Sequence, residues 1–491
     1  MNELPYDTND PIVALATPWA ESALALIRTS GEGSVDLVAG IFSRPEVLRA
    51  ASNAHMVYGY IQTGGKTGRA IEAEAAQAEA AETAGADRAD RADKSDGADG
   101  RFGPERIDEV MVAVFRAPHG YTGEESVEIS CHGSLPGIQK ILEVLRQQGF
   151  RDAAPGEFTL RAFINGKMDL TRAEAVQEII GAKSRRAQTL ALNRLSGALW
   201  RRIDGLKQDI KTLLAAVEVQ LDYPEDEMEA APEVPMDKLQ GIETELEQLL
   251  GTYRTGRLFQ EGVRVALSGA TNAGKSSLFN LFLREDRSIV SGIHGTTRDY
   301  IESWISIQGV PVRLFDTAGL RDPEHPVEAE GIKRSGRVIE SAAVVVYVVD
   351  ATVGLSAAER ADFQTWRDDQ RYLFVWNKTD LAAEPAQEGF IAVSAETGAG
   401  FEQLEAEIGQ RILGSGGGED ELLIDSSRQH DLLQRAAASL KEAAGAVEAG
   451  MPLDFVAADL KDALDALGEI TGEVTSADIL NQIFGDFCVG K

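Results

Sequence analysis

Basic residues are scarce in this chain. Its 491 residues include 48 lysines and arginines against 79 aspartates and glutamates, a formal net charge of −31. That excess opposes any large nonspecific nucleic-acid surface, whose affinity comes from neutralising phosphates. If RNA is met, it is met through a local patch or a basic partner. Cysteine is nearly absent as well: Cys131 and Cys488 are the two, far apart in sequence. A disulfide framework is not indicated, and a reducing cytoplasm is the expected compartment. No apolar run approaches the ~20 residues that span a bilayer. The first residues do not read as a signal peptide, so no membrane association is expected. Hydrophobic content of 43% suffices for ordinary cores. The length predicts two to four domains.

The most telling segment present is Gly269-Ala270-Thr271-Asn272-Ala273-Gly274-Lys275-Ser276. It fits G-x-x-x-x-G-K-[ST]. An apolar run before it, Val263 to Leu267, reads as a buried strand. Ser277 to Leu283 after it reads as a helix with an apolar face. Strand, glycine loop and helix are the context this motif requires. Backbone N–H groups of the loop and helix N-terminus point at phosphate oxygens, and Lys275 adds a positive charge. Gly269 and Gly274 let the loop curl without Cβ clashes. Ser276 can place its hydroxyl on Mg2+. A tight turn with a helix cap explains one glycine or one serine, not the whole string. Asn272, Ala273, Gly274, Lys275, Ser276 and Ser277 are the expected phosphate-binding residues.

Asn377-Lys378-Thr379-Asp380 follows another apolar run, Tyr372 to Trp376. It resembles the N-K-x-D base-reading motif of GTPases. Asp380 can accept two hydrogen bonds that guanine offers and adenine does not, so GTP is expected over ATP. The Lys378 stem can lie along the base plane. Ser394-Ala395 resembles the S-A element whose backbone N–H meets the guanine oxygen. Alone, N-K-x-D is a common turn sequence; after a P-loop it points to guanine.

Asp316-Thr317-Ala318-Gly319 follows Val310 to Phe315. A carboxylate at that strand end suits a position behind the Mg2+ ligands, and Gly319 can turn its N–H to the γ-phosphate. Gly295-Thr296-Thr297-Arg298-Asp299 supplies a second hydroxyl for Mg2+, from Thr297. These strings stand in the order of a small GTPase domain. Leu320 occupies the place where many GTPases carry a water-positioning glutamine. Asn272 and Thr296 together resemble GTPases that bind K+ beside the phosphates, with Ser291 and Ile293 giving backbone carbonyls. Such a cation does the electrostatic work of an arginine finger. The other reading of Asn272 is a loop residue bonding its own backbone.

The expected fold is multidomain: an α+β N-terminal domain, an α-helical central domain, and an inserted α/β P-loop GTPase domain. Residues 1–160 form the first, with strands at 11–16, 23–27, 110–115 and 127–130 and a helix at 137–147. Within it, 64–101 is rich in Ala, Glu, Asp and Gly and reads as a disordered or loosely helical insert. Residues 161–260 are the first helical part, opened by a capping box at Thr171-Arg172-Ala173-Glu174. They continue in helical period towards Leu221, with a second helix from Met236 to Arg254. The GTPase domain covers 261–414. Residues 415–491 are the second helical part, with helices at 427–448, 453–468 and 476–484. The last opens with a capping box from Thr475 to Asp478. Neither helical half looks complete, so one helical domain with an insertion is the economical reading.

Taken in order, the strings resemble the MnmE (TrmE) family of tRNA modification GTPases over nearly the whole length. The carrying residues start with Asp10 to Ala14, Ala16-Thr17-Pro18, Tyr121-Thr122-Gly123-Glu124 and Cys131-His132-Gly133. Pro155-Gly156-Glu157-Phe158-Thr159 with Arg161-Ala162-Phe163, Asn165-Gly166-Lys167 and Asp169-Leu170 follow. Leu221-Asp222-Tyr223-Pro224 and the GTPase strings come next, and Phe487-Cys488-Val489-Gly490-Lys491 ends the match. The resemblance implies a homodimer with a folate-binding N-terminal domain. It implies a flavin-dependent partner of the MnmG (GidA) type, joined as a heterotetramer, and a tRNA substrate. The implied reaction adds an aminomethyl or carboxymethylaminomethyl group to C5 of the wobble uridine, position 34. GTP is hydrolysed, and the carbon comes from a tetrahydrofolate derivative (5-formyl or 5,10-methylene form). Arg28, Glu128, Lys167 and Lys491 match the family's folate contacts. Glu328 matches the glutamate that orients the attacking water. Cys488 is the candidate reactive thiol.

Read as residues alone, Arg28 is equally a strand-end side chain that snorkels, and Glu128 and Lys167 ordinary surface charges. Cys488 is equally a buried structural cysteine. Trp19-Ala20-Glu21-Ser22 stands where the family usually has a glycine-rich turn. The rival function is a GTPase switch in ribosome assembly or signalling, with no modification chemistry; such proteins usually carry a basic RNA-binding module, which this chain lacks.

Overall fold

A computed structural model describes residues 9–63, 105–222, 234–285, 302–317, 337–382, 388–414 and 422–491. The insert expected at 64–101 lies outside them. The chain divides into two compact units, Met1–Ala173 with Thr475–Lys491, and Glu174–Val474. The last seventeen residues group with the first unit.

The first unit is built on a six-stranded sheet. Its strands are Ile12–Leu15 (β1), Ser22–Ser30 (β2), His55–Gln62 (β3), Arg106–Phe115 (β4), Ser126–Gly133 (β5) and Arg151–Asp152 (β6), in the order β3-β4-β5-β2-β1-β6. Alternate residues such as Ile27, Val57, Val112 and Ile129 are buried together, and the helix Leu135–Gln147 adds Ile138, Ile141 and Leu145 to that core. This is the period of two that a half-buried sheet imposes. β3 was not among the expected strands. Its outer positions carry Met56, Tyr58 and Tyr60, so hydrophobicity does not alternate along it although burial does.

Residues 475–491 rest on this unit. The helix Ala477–Gly485 packs on the helix Glu157–Ile164, with Phe484 and Phe487 buried. Gly156 (φ +66°) makes the approach possible, since a Cβ there would lie 2.6 Å from the Phe484 carbonyl oxygen. The capping box expected at Thr475 does not form: Ser476 is the N-cap, its hydroxyl accepting from the Ile479 N–H, and an isoleucine at that position has no side chain to return the bond. Thr171 does not cap its helix either. The Asp169 carboxylate accepts from the N–H groups of Thr171 and Arg172 and from the Thr171 hydroxyl. An ionised acceptor wins these donors over a neutral hydroxyl.

The second unit joins a helical core to an α/β sheet. Helices Ala198–Asp222 and Met236–Gly251 precede the sheet in sequence; Ser427–Glu448 and Leu453–Thr471 follow it. Leu206, Leu213, Leu246, Leu433, Leu440 and Leu460, from both sides, share one core. The helix expected from Met236 to Arg254 is two, ending at Gly251 and restarting at Tyr253. Thr252 explains the break: its hydroxyl donates to the Leu249 carbonyl and accepts from the Ile424 N–H. No described helix is long and apolar enough to cross a membrane.

The sheet strands are Val263–Gly269 (β7), Glu302–Ile307 (β8), Val310–Asp316 (β9), Val344–Asp350 (β10), Tyr372–Asn377 (β11) and Phe390–Ala392 (β12). Their order is β12-β11-β10-β7-β9-β8, with β8 the antiparallel edge and the rest parallel. β10, Val-Val-Val-Tyr-Val-Val-Asp, is nearly continuous apolar chain, as a strand covered on both faces must be. From β7 the chain goes first to β8 and β9 on one side and later to β10 on the other. The carboxyl end of β7 therefore opens at a topological switch point, where ligands bind open α/β sheets.

Within the helical part, Arg194 is buried between Glu178 and Asp425. Burial pushes the Glu178 carboxyl up to about 8, helped by Asp425 and Glu174 and opposed by Arg194. Its ordinary value is 4.5. The folded state holds a proton that the unfolded chain releases, so this contribution to stability is complete below the ordinary value and is lost as pH rises through the folded one. Glu178→Gln should remove that dependence. Chemical denaturation between pH 5 and 9 checks it: the variant should gain on the native protein as pH rises, and parallel curves would refute the assignment.

Candidate functional site

The loop after β7 carries two backbone positions that reject ordinary side chains. Gly269 has φ +126°, and a Cβ there would stand 2.1 Å from the Val348 carbonyl oxygen of β10. Gly274 has φ +92°, and its Cβ would stand 2.1 Å from Asn377 Nδ2. Asn272 also takes the left-handed region, at φ +65°. The helix Lys275–Glu285 starts directly after the loop. Its N-terminal N–H groups face the end of β7, the arrangement that captures an anion. Lys275 is buried and donates to the carbonyls of Gly269 (3.0 Å) and Ala270 (2.6 Å). Ser276 Oγ donates to Asp316 Oδ2 at 2.6 Å. The hydroxyl and the carboxylate of two separate strings thus meet, a hard-oxygen pair of the kind Mg2+ selects. Thr317 turns its hydroxyl inward to the Leu267 carbonyl, 2.7 Å away.

The second end of the site is assembled from β11 and the segment after β12. Asn377 is buried; its Nδ2 donates to the Ala273 carbonyl at 2.9 Å and its Oδ1 accepts from the Ala395 N–H at 3.0 Å. Ser394 Oγ donates to Asp380 Oδ1 at 2.6 Å and accepts from the Thr397 N–H. Lys378, at φ +65°, donates to Asp350 Oδ2 at 2.6 Å. Asn272, Ala273, Gly274, Lys275, Ser276, Ser277, Asp316, Thr317, Asn377, Lys378, Asp380, Ser394 and Ala395 therefore lie at one end of one sheet. Ala318, Gly319, Glu328, Ser291, Ile293, Thr296 and Thr297 lie outside the described residues. Asp350 was not singled out in the sequence. The signal was there: it is the carboxylate closing the apolar run of β10.

A separate cluster lies in the first unit. Arg28 of β2 and Glu128 of β5 are cross-strand partners, with Arg28 Nε donating to Glu128 Oε1 at 2.8 Å. Arg28 Nη1 also donates to the Gly490 carbonyl at 3.2 Å, and the rings of Tyr121 and Phe158 stand within 6 Å of the guanidinium. Lys491 is at the same place through its neighbour: its N–H donates to the Cys488 carbonyl. Lys167 Nζ donates to the Pro118 carbonyl at 2.9 Å, and its stem passes beside Gly123 in the loop that carries Tyr121. Cys488 is exposed, so its reading as a buried structural cysteine does not hold. Cys131 is the buried one, its thiol pushed up to about 11 by burial and then by Asp108.

Residues without an expected role fix this cluster. Arg161 is fully buried and donates to Glu157, to Glu124 and to the Asp10 carbonyl. Tyr121 bonds Thr159, and Asn165 donates to the Thr122 carbonyl. The strings at 121–124, 155–163 and 165–167 are therefore one interlocked structure. Glu157 is held below its ordinary value: burial raises it, but Arg151, the Ala154 N–H and Arg161 together outweigh burial.

Two family models match the chain: GTP-binding protein TrmE N-terminus over residues 11–167, and MnmE helical domain over residues 170–488. The tRNA modification GTPase MnmE of Borrelia recurrentis is 39% identical over 499 residues, covering 99% of each chain. That of Treponema denticola is 37% identical over 509 residues, with the same coverage. Among solved structures, the G domain of the T. maritima FeoB iron transporter covers 30% of this chain and 98% of its own, at 20% identity and a TM-score of 0.24.

Asn377→Ala strips hydrogen-bond partners from the Ala273 carbonyl and the Ala395 N–H, each worth about 1–3 kcal/mol when left buried and unpaired. Thermal unfolding should fall by several degrees and nucleotide affinity by more than about ten-fold. Calorimetry with a parallel nucleotide titration checks both; unchanged affinity would show that the two ends of the site are set independently.

Proposed function

The chain belongs to the MnmE (TrmE) family of tRNA modification GTPases, and from that premise we propose that it hydrolyses GTP to drive modification of the wobble uridine of tRNA. The P-loop residues Asn272 to Ser277 hold the phosphates, with Asp316 and Thr317 behind them. Asp380, set by Ser394, selects guanine, and the Ala395 N–H meets its oxygen. Mg2+ would be held by Ser276 and Thr297, where it offsets the charge that develops on the phosphates. Asn272 would hold K+ with Ser291, Ile293 and Thr296. Glu328 orients the attacking water in this reading, in place of the glutamine absent at Leu320.

The modification chemistry belongs to the first unit. We assign Arg28, Glu128, Lys167 and Lys491 to a tetrahydrofolate derivative, which supplies the one-carbon unit. The residues fit such a group: both signs of charge stand together beside two aromatic rings, as a pterin and a glutamate tail require. The observation that carries this reading is the seat of the C-terminal segment, which brings the exposed Cys488 to the strand pair bearing Arg28 and Glu128. A homodimer through the N-terminal domain, a flavin-dependent partner and a cytoplasmic location complete the proposal. The rival, a GTPase switch without modification chemistry, gives no reason for this seat.

Two experiments test it. Deleting residues 487–491 should abolish the modified wobble nucleoside in tRNA digests while GTP turnover continues, because the GTPase machinery lies in the other unit. Deleting residues 66–99 should leave both intact. Normal modified uridine after the tail deletion would refute the roles of Cys488 and Lys491. Separately, K+ should stimulate hydrolysis well above Na+ at matched ionic strength, and Asn272→Ala should lose that stimulation while still binding nucleotide. Indifference to K+ would remove the cation from the mechanism.

A further inference from the structure

Asp350 closes β10 and is the ladder partner of Asn377 at the end of β11. The two strand ends are locked further by the Ala351 N–H, which donates to the Asn377 carbonyl at 2.8 Å. Asp350 is thus placed one residue from Lys378 by the sheet itself. Its two carboxylate oxygens do different work. Oδ1 accepts from the N–H and the hydroxyl of Thr352, at 2.9 and 2.7 Å. Oδ2 accepts from Lys378 Nζ at 2.6 Å. The first pair fixes the carboxylate; the fixed carboxylate then fixes the ammonium.

The route of the lysine stem is the second observation. A Cβ built on Gly274 would lie 3.8 Å from Lys378 Cε, so the stem crosses the last glycine of the P-loop. Lys378 also has a left-handed backbone, at φ +65°, which a non-glycine residue adopts only at a cost. A free lysine side chain has many rotamers to lose. The structure spends strain and ordering to hold this stem in one place.

We infer that Asp350 is the positioning residue of base recognition: it pins Lys378 across the P-loop so that one wall of the base site exists before nucleotide arrives. This rests on the reading that the Asn377 to Asp380 string takes guanine. Burial draws the Asp350 carboxyl up, but Lys378 and Thr352 more than reverse it, leaving it below its ordinary range; it is therefore a full anion at neutral pH. The bland alternative is a partly exposed ion pair of little consequence.

A double-mutant cycle separates the two. A fluorescent GDP analogue is titrated into the full-length protein, its Asp350→Asn, Lys378→Met and doubly substituted forms. Asp350→Asn should weaken binding about ten-fold, about 1.4 kcal/mol. In the Lys378→Met background the same change should weaken it less than about two-fold. In turnover, KM for GTP should rise without a fall in kcat, because the base is held alike in the ground and transition states. Thr352→Ala, on an exposed turn, removes one anchor and should give a smaller loss that also vanishes without Lys378; it serves if Asp350→Asn does not fold. Unchanged affinity in Asp350→Asn, or an equal loss in both backgrounds, overturns the inference. The native protein reports on the underlying reading by itself: if it binds ADP as tightly as GDP, the guanine assignment fails, whereas a guanine preference with an indifferent Asp350→Asn sinks only the role of Asp350.

Discussion

Asn377 Nδ2 donates to the P-loop at Ala273, and Asn377 Oδ1 accepts from Ala395 beyond β12. This one buried amide spans the sheet end from the first strand in sequence to the last. Much of the α/β site depends on it. The Gly274 position has no room for a Cβ because the amide stands there. The two halves of the site, phosphate and base, come from segments about a hundred residues apart, and no backbone ladder joins them directly. β7 and β11 are each paired to β10, not to one another. A side chain with one donor and one acceptor face is the simplest bridge across that gap. It is buried, so either bond left unmade costs a full desolvation penalty.

The first unit solves the same problem with charge. Arg161 collects Glu157 from its own helix, Glu124 from a loop, and the Asp10 carbonyl at the entry to β1. A guanidinium has five donors in a fixed plane, so it can hold three segments in set directions where a lysine's single ammonium would draw its partners to one point. Buried ion clusters of this kind do little for net stability against apolar packing, but losing one partner is costly. What they contribute here is register. Tyr121 and Phe158 reach Arg28 from the two segments that Arg161 joins.

Among the described residues, the strings expected in the α/β site do meet at one sheet end, because the spacing within each string is local. A phosphate loop needs its glycines within eight residues, and a base-reading string follows its own strand. The tail was legible only through family resemblance: nothing in Phe487 to Lys491 as a string says where it docks. Its seat depends on Gly156, more than three hundred residues away, having no Cβ. Neither expected capping box formed, for an instructive reason: a simpler cap stood one or two positions away. At Thr171 the hydroxyl pattern was correct but a stronger acceptor, Asp169, stood just before it. Asp350 was invisible because its use depends on β10 and β11 lying side by side.

The shortage of basic residues gives these clusters a common form. Arg161 lies between Glu157 and Glu124, and Arg194 between Glu178 and Asp425. Each is one buried cation shared by two carboxylates, an arrangement an acidic chain reaches readily. Yet their titration differs in sign. Glu157 is held low and Glu178 is pushed high. Burial raises both. The difference is supply of donors: Glu157 also receives Arg151 and the Ala154 N–H, whereas Glu178 must share Arg194 with Asp425. Two buried carboxylates cannot both ionise on one guanidinium without further donors. The cluster that supports the folate candidates is thus fixed as an anion, and the one in the helical core keeps a proton. Each cluster sets one guanidinium against two carboxylates; the hydrogen bonds of the fold decide which behaviour results.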